Sequence, residues 1–122
     1  MKLHASSAAG RNVVTAYGDD YVAVNGERHA SSMVLLPDRI VDWEPQSFDQ
    51  LTAEHFSGLA ALDVEIVLLG TGPRQRFPHP RLTAALSRAG IGVEVMDLQA
   101  ACRTFNILVA EERKVAAALL FG

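Results

Sequence analysis

The residues with most chemical potential cluster after one apolar run: Gly70, Thr71 and Gly72, then Arg74, Arg76 and Phe77, with Arg81 a short way on. The run itself, Val64 to Leu69, is short and β-branched, which predicts a buried strand that delivers a glycine loop to its carboxyl end. Open α/β sheets place ligands at that end. Helix starts predicted at Pro80 and Leu98 can share it, each with unpaired amides and a partial positive charge worth roughly 0.3–1 kcal/mol to an anion. Loop and helix starts together would form an anion pocket. A solvated loop whose glycines serve a tight turn accounts for the same residues. Phe77 among arginines also has a reading as a protein-contact anchor, because aromatic and Arg residues dominate interface hot spots.

The nucleotide fingerprints that such a loop invites are incomplete. G-x-G-x-x-G needs glycine where Gln75 stands, and a P-loop needs Gly-Lys-Ser/Thr where the chain has Phe77-Pro78. Asp97 sits near the offset of a ribose-binding acid, but a helix-cap role already explains it. No cofactor is therefore called for.

Nucleophilic and metal chemistry have equally thin support. Cys102 lies one turn inside a predicted helix start, which lowers a thiol pKa, yet it also belongs to that helix's apolar stripe and no histidine is near in sequence. A packed core thiol is the simpler reading. His4, His29, His55 and His79 form neither an i, i+4 pair nor an HExxH context, so no metal site is expected. Asp19-Asp20, Asp49 and Glu111-Glu112 read as turn and face charges rather than a catalytic carboxylate pair.

The elements that would position these residues follow from the pattern. Residues 1–10 are small and polar without a period, and are expected to be a mobile arm or frayed edge strand. Val13 to Tyr17, Tyr21 to Val24 and Glu27 to Ala30 read as a meander, with Asn25-Gly26 as a two-residue hairpin turn. Ser31 to Leu36 and Ile40 to Trp43 add extended segments around Pro37-Asp38, so the N-terminal half is mainly antiparallel. Thr52 caps a short helix with Glu54 in its first turn and Phe56, Leu59 and Ala60 on its apolar face; Leu62 can continue that face and Asp63 ends the helix. Val64 to Leu69, a helix from Pro80 to about Ala89, and Gly92 to Met96 have the order of a βαβ unit with a right-handed crossover.

Asp97 then caps the clearest helix of the chain. Its apolar stripe comprises Leu98, Ala101, Cys102, Phe105, Leu108 and Val109, leaving Gln99, Arg103 and Asn106 outside. Glu111 to Lys114 turns the chain, and Val115 to Phe121 is apolar on both alternating faces, as a central strand would be.

Composition bounds the rest. The 122 residues fit one domain, 1–122, able to remove about two thirds of its unfolded surface from water without disulfide or metal. A hydrophobic content of 49%, a charged content of 20% and a formal net charge of -3 describe an ordinary globular chain and oppose general nucleic-acid binding. One cysteine excludes an internal disulfide and favours a reducing compartment. Leu3 to Gly10 lacks the apolar core of a secretory signal, and the longest apolar run, Val115 to Phe121, is far short of the roughly 20 residues a membrane helix needs. A cytoplasmic location is expected.

Several motifs together resemble a known family. Asn25-Gly26, SMVLLPD at Ser32 to Asp38, Trp43, LLGTG at Leu68 to Gly72, EVMD at Glu94 to Asp97 and AACRTFNILVAEERKVAAALL at Ala100 to Leu120 are similar to a small domain-of-unknown-function family. Its members include the mitochondrial NADH:ubiquinone oxidoreductase (complex I) assembly factor 3 and the adipogenesis-associated domain protein. The resemblance covers nearly the whole chain and is carried chiefly by the ACRTFN segment. It implies a three-layer α/β domain around a mixed sheet and no established enzymatic activity. Arg103, Thr104 and Asn106 match the family's motif and would border the glycine loop if their helix packs beside the central strand. Otherwise Arg103 and Asn106 simply bond to neighbouring backbone carbonyls.

The expected fold is thus a three-layer α/β domain, with a mixed central sheet, an antiparallel N-terminal meander, a C-terminal βαβαβ half and about three helices. The leading functional expectation is a noncatalytic domain that binds a protein partner, as an assembly factor would, through Thr71 to Phe77 and Arg103. The second is a small-molecule site for a phosphate or nucleotide on Gly70 to Arg76. The third is an enzyme using Cys102. A monomer is compatible with all of them.

Overall fold

The computed structural model describes residues 10–122, so the arm expected over residues 1–10 falls outside it except for Gly10. The chain begins as a meander: β1 (Val14–Tyr17), β2 (Val22–Val24) and β3 (Glu27–His29) pair antiparallel in that order. Asn25 (φ 53°) and Gly26 (φ 88°) both take the left-handed backbone that a two-residue hairpin turn with right-handed twist requires. The meander forms a sheet of its own. The next hairpin, β4 (Met33–Leu35) and β5 (Ile40–Asp42), joins a second sheet instead.

That second sheet has the order β5-β4-β8-β6-β7, with β6 (Ile66–Thr71), β7 (Gly92–Met96) and β8 (Val115–Leu120). β6 runs parallel to both β7 and β8, whereas β4 is antiparallel to β8, so the sheet is mixed as expected. Every residue of β4, β6 and β8 is buried, which explains why these strands read as continuous apolar runs rather than alternating ones.

The two faces of the sheet carry separate cores. On one, Ile66, Leu68, Ala117 and Leu119 meet α3 (Leu98–Ala110) and the meander residues Val14, Val22 and Val24. On the other, Val67, Leu69, Ala116 and Ala118 meet Trp43, Phe56 and Leu59, with Leu86 of α2 (Pro80–Arg88). Phe56 and Leu59 belong to α1 (Ala53–Leu59). The layers are therefore meander and α3, sheet, then α1 and α2. A chain leaving β6 turns to one face and a chain leaving β7 turns to the other.

Helix α1 has only seven residues and depends on its cap. The Thr52 hydroxyl accepts from the His55 amide, and His55 Nδ1 accepts in turn from the Thr52 amide at 3.1 Å, so a histidine completes the reciprocal cap. A 3-10 turn at Phe48–Gln50, not expected from the sequence, lies within the polar connector.

Strand β6 begins two residues later than expected and ends two residues later. The amides of Glu65 and Ile66 both reach Lys114 O, at 2.9 and 3.3 Å, and the ladder with β8 starts only at Ile66. Gly70 and Thr71 are consequently strand residues, not loop. A Cβ on Gly70 would lie 3.0 Å from Leu119 Cδ2 and 3.1 Å from Ala101 Cβ, so its missing side chain lets α3 approach β6 and β8. Gly70→Val is expected to overpack this contact and cost about 1–3 kcal/mol, measurable as a lower denaturation midpoint at unchanged slope.

Candidate functional site

The loop after β6 is built by its own hydrogen bonds. Thr71 is buried; its hydroxyl contacts Arg74 O at 2.5 Å and Met96 O at 3.3 Å and accepts from the Arg76 amide at 3.1 Å. Gln75 Nε2 donates to Val95 O at 2.8 Å and ties the loop to β7. Gly72 (φ 87°) turns the chain and its carbonyl accepts from the Leu98 amide at 2.8 Å. These contacts leave Arg74 and Phe77 outside, with Phe77 72% exposed. Arg76 instead folds back onto the 3-10 turn, donating to Asp49 at 3.0 Å with its guanidinium 4.2 Å from the Phe48 ring centre.

At the carboxyl ends of β6 and β7 lies a concavity of about 140 Å³, where departing chains turn to opposite faces and α/β sheets commonly bind ligands. Gly72 and Pro73 form one wall, Asp97, Leu98 and Gln99 another, and Gly18 and Asp19 of the meander a third. Its character differs from the expected anion pocket. Two carboxylates line it and Arg74, Arg76 and Arg81 do not. Several amides of the helix starts are already committed: Asp97 Oδ1 takes the Ala100 amide at 2.8 Å, Gly72 O takes Leu98, and His79 Nδ1 takes the Arg81 amide of α2 at 3.1 Å. Because α2 and α3 pack on opposite faces, the sheet also separates their ends.

Residues of α3 divide by direction. Cys102 is fully buried in the core between helix and sheet, and burial pushes its thiol above its ordinary value of 9.0 to about 12, with Arg103 opposing weakly. Arg103 is exposed and donates to Tyr17 OH at 3.1 Å, a bond that raises its own pKa. Asn106 makes a matched pair of bonds to one residue of β1: Oδ1 accepts from the Val14 amide and Nδ2 donates to Val14 O, each at 2.9 Å. Half of this was anticipated, since backbone bonding was the plainer expectation for Asn106. Of Gly72, Arg74, Cys102 and Arg103, only Gly72 lines the concavity, so these residues do not converge there.

Sequence reasoning missed a larger basin at the other end of the sheet. About 310 Å³ in volume, it has Leu36, Val64, Val109 and Val115 among its walls and the cations Arg11, Arg39, Arg113 and Lys114 around it. Each cation is paired: Arg11 with Glu112, Arg39 with Asp38, Arg113 with Glu65 and Lys114 with Asp63. The Arg113 bond at 2.8 Å holds the Glu65 carboxyl below its usual range. The dense charge of Glu111 to Lys114 is the available signal, which the sequence alone presents as turn and face charges. Among the described residues no three His, Cys, Asp or Glu side chains stand close enough to hold a metal ion.

Comparison with known proteins places this geometry. Residues 14–120 match the family described as protein of unknown function (DUF498/DUF598). The chain belongs to this family. A Bos taurus protein named NADH dehydrogenase (ubiquinone) 1 alpha subcomplex assembly factor 3 is 38% identical over 109 residues, which are 88% of this chain and 59% of that protein. The chain thus spans less than two thirds of that relative. A Francisella tularensis protein named 13 kDa major membrane protein is 28% identical over 90 residues, 72% of this chain and 73% of that protein. The crystal structure of a Bordetella parapertussis protein superposes with TM-score 0.86 at 42% identity, covering 91% of this chain and 96% of that one. The solution structure of a Bordetella pertussis protein, described as a Mth938-like domain, gives TM-score 0.80 at 39% identity, covering 98% and 92%. Family and fold expected from the motifs are therefore both borne out. Among the described residues no helix is long and apolar enough to cross a membrane.

Two outcomes test the assignments on α3. Asn106→Ala strands both backbone groups of Val14 and is expected to cost about 1–3 kcal/mol, with faster amide exchange at Val14. Cys102 should resist alkylation in the native protein at pH 8 and react freely once unfolded. Since its folded pKa is raised, the stability this thiol contributes is full below about pH 9 and falls as pH rises toward 12, which alkaline denaturation curves of wild type and Cys102→Ala would compare.

Proposed function

We propose that this protein is a noncatalytic interaction domain that helps assemble a larger complex, and that the loop from Thr71 to Phe77 contacts its partner. The observation carrying this reading is the exposed Phe77, held beside Arg74 on a loop fixed by Thr71 and Gln75. An aromatic ring kept out of the core on an immobilised loop loses little conformational freedom on binding, which favours its use as an anchor. The relationship to a protein named as an assembly factor supports the same role. The buried Cys102 thiol, packed among apolar side chains and with its pKa raised, fits core packing better than nucleophilic catalysis. Arg103, engaged by Tyr17, fixes the meander beside α3.

The test is affinity capture from the source organism with tagged wild type and the double variant Arg74→Ala, Phe77→Ala. Loss of the specific partner, with circular dichroism and melting temperature unchanged, is the expected outcome. A contact anchored by one aromatic residue should weaken by about 2 kcal/mol or more on its removal. Equal capture by both proteins would remove the loop from the interface.

A further inference from the structure

Strand β5 is the outer strand of the mixed sheet, and its free edge adjoins an apolar groove. Leu36 N bonds to Arg39 O at 2.9 Å and Trp43 N to Ser32 O at 3.3 Å, which makes Val34 and Val41 the intervening hydrogen-bonded pair. The amides and carbonyls of Ile40 and Asp42 therefore face away from β4. Among the described residues no group bonds to them. The side chain of Val41, 40% exposed, lies on the face of α1. Together with Trp43, Leu59 and Leu62 it lines a groove of about 250 Å³. Gly58 forms part of its wall, and a Cβ there would meet nothing within 4 Å.

No Lys or Arg lines this groove; Asp42, Glu54 and His55 do, and Glu44 beside it is bonded to His55 at 2.9 Å. Asp42 pairs with Met33 of the other core, so its side chain stands on the opposite face of the strand from Val41. Arg39, which precedes the strand, is taken by Asp38 at 3.0 Å. A second copy of this chain pairing edge to edge would bring like charges together, whereas a basic segment would meet complementary ones.

We infer that β5 is a docking edge for an extended segment of a partner protein, added as a further strand, with an apolar side chain in the Val41–Trp43 groove and, next to it in sequence, Lys or Arg that strand alternation turns to the opposite face beside Asp42. Outward backbone groups supply the ladder, the groove selects the apolar residue, and Asp42 on the opposite face selects the basic neighbours. This surface rests on the interaction reading above and adds a second contact remote in sequence from Phe77.

The test uses the full chain and a fluorescent capped peptide of alternating Lys and Val, with the matching Glu and Val peptide as control. Saturable binding of the basic peptide, slowed amide exchange at Ile40 and Asp42 and no binding of the acidic peptide are expected. Gly58→Phe fills the groove from an open position and should leave the melting temperature unchanged while weakening binding about tenfold. Asp42→Pro removes an outward donor, and Asp42→Lys reports the carboxylate alone should the proline variant prove unstable; both should weaken binding similarly. Equal binding of the acidic peptide, or wild-type affinity in Gly58→Phe, overturns the proposal. So does a dimer abolished by Asp42→Lys, which would make the occupant a second copy. Protection at Ile40 and Asp42 before peptide is added, lost on deleting residues 1–9, would make it the chain's own segment. Loss of natural partner capture through Arg74 and Phe77 with Gly58→Phe silent would overturn this edge and leave the interaction reading standing.

Discussion

Helix α3 can lie where it does only because Gly70 presents a hydrogen to it. Ala101 and Leu119 occupy the space a side chain there would take, at about 3 Å from where its first carbon would sit. Much else hangs on this approach. With α3 seated, its first amide meets Gly72 O and shapes the turn after β6, while its outer side chain Asn106 reaches the backbone of β1. The glycine that looked like part of a ligand loop is thus a packing residue, and the loop's conformation is a consequence of helix placement.

The same constraint explains why the carboxyl ends of the parallel strands hold so little room for an anion. The amides of Leu98, Ala100 and Arg81, which a phosphate would seek, are taken by Gly72, Asp97 and His79, and Asp19 and Asp97 are among the walls of the small hollow that remains. Of the loop's arginines, Arg76 has gone to Asp49 and the Phe48 ring, while Arg74 stays exposed. What the loop offers to its surroundings is an aromatic ring and a neighbouring charge, on a backbone held by Thr71 and Gln75.

Much of this architecture was legible because local signals and burial agreed. Asn25-Gly26 gave a turn through its φ requirement, Thr52 and Asp97 gave helix starts through their side-chain acceptors, and the apolar runs of β6 and β8 gave strands covered on both faces. Register and pairing were less accessible. The shift of β6 follows from two amides converging on Lys114 O, a contact nearly fifty positions away, and the meander separates from the main sheet because β4 prefers β8. Asn106 and Val14 stand 92 positions apart, so polar residues off a helical stripe could be read as site or as fastening until the fold joined them. Side chains whose partners are local declare themselves in a sequence; those whose partners come from topology do not.

The position of β8 has a consequence for how the domain comes into being. Among the described residues it is the last strand in sequence and the middle strand of the sheet, the sole ladder between the β4–β5 hairpin and the β6–β7 pair. During synthesis both halves emerge with open inner edges, and neither can close the sheet until Val115 to Leu120 leaves the ribosome and inserts between them. Such unpaired apolar edges are templates for wrong pairing. Edges of β4 and β6 destined for the interior therefore stay unpaired until β8 is made, the stage most open to wrong pairing.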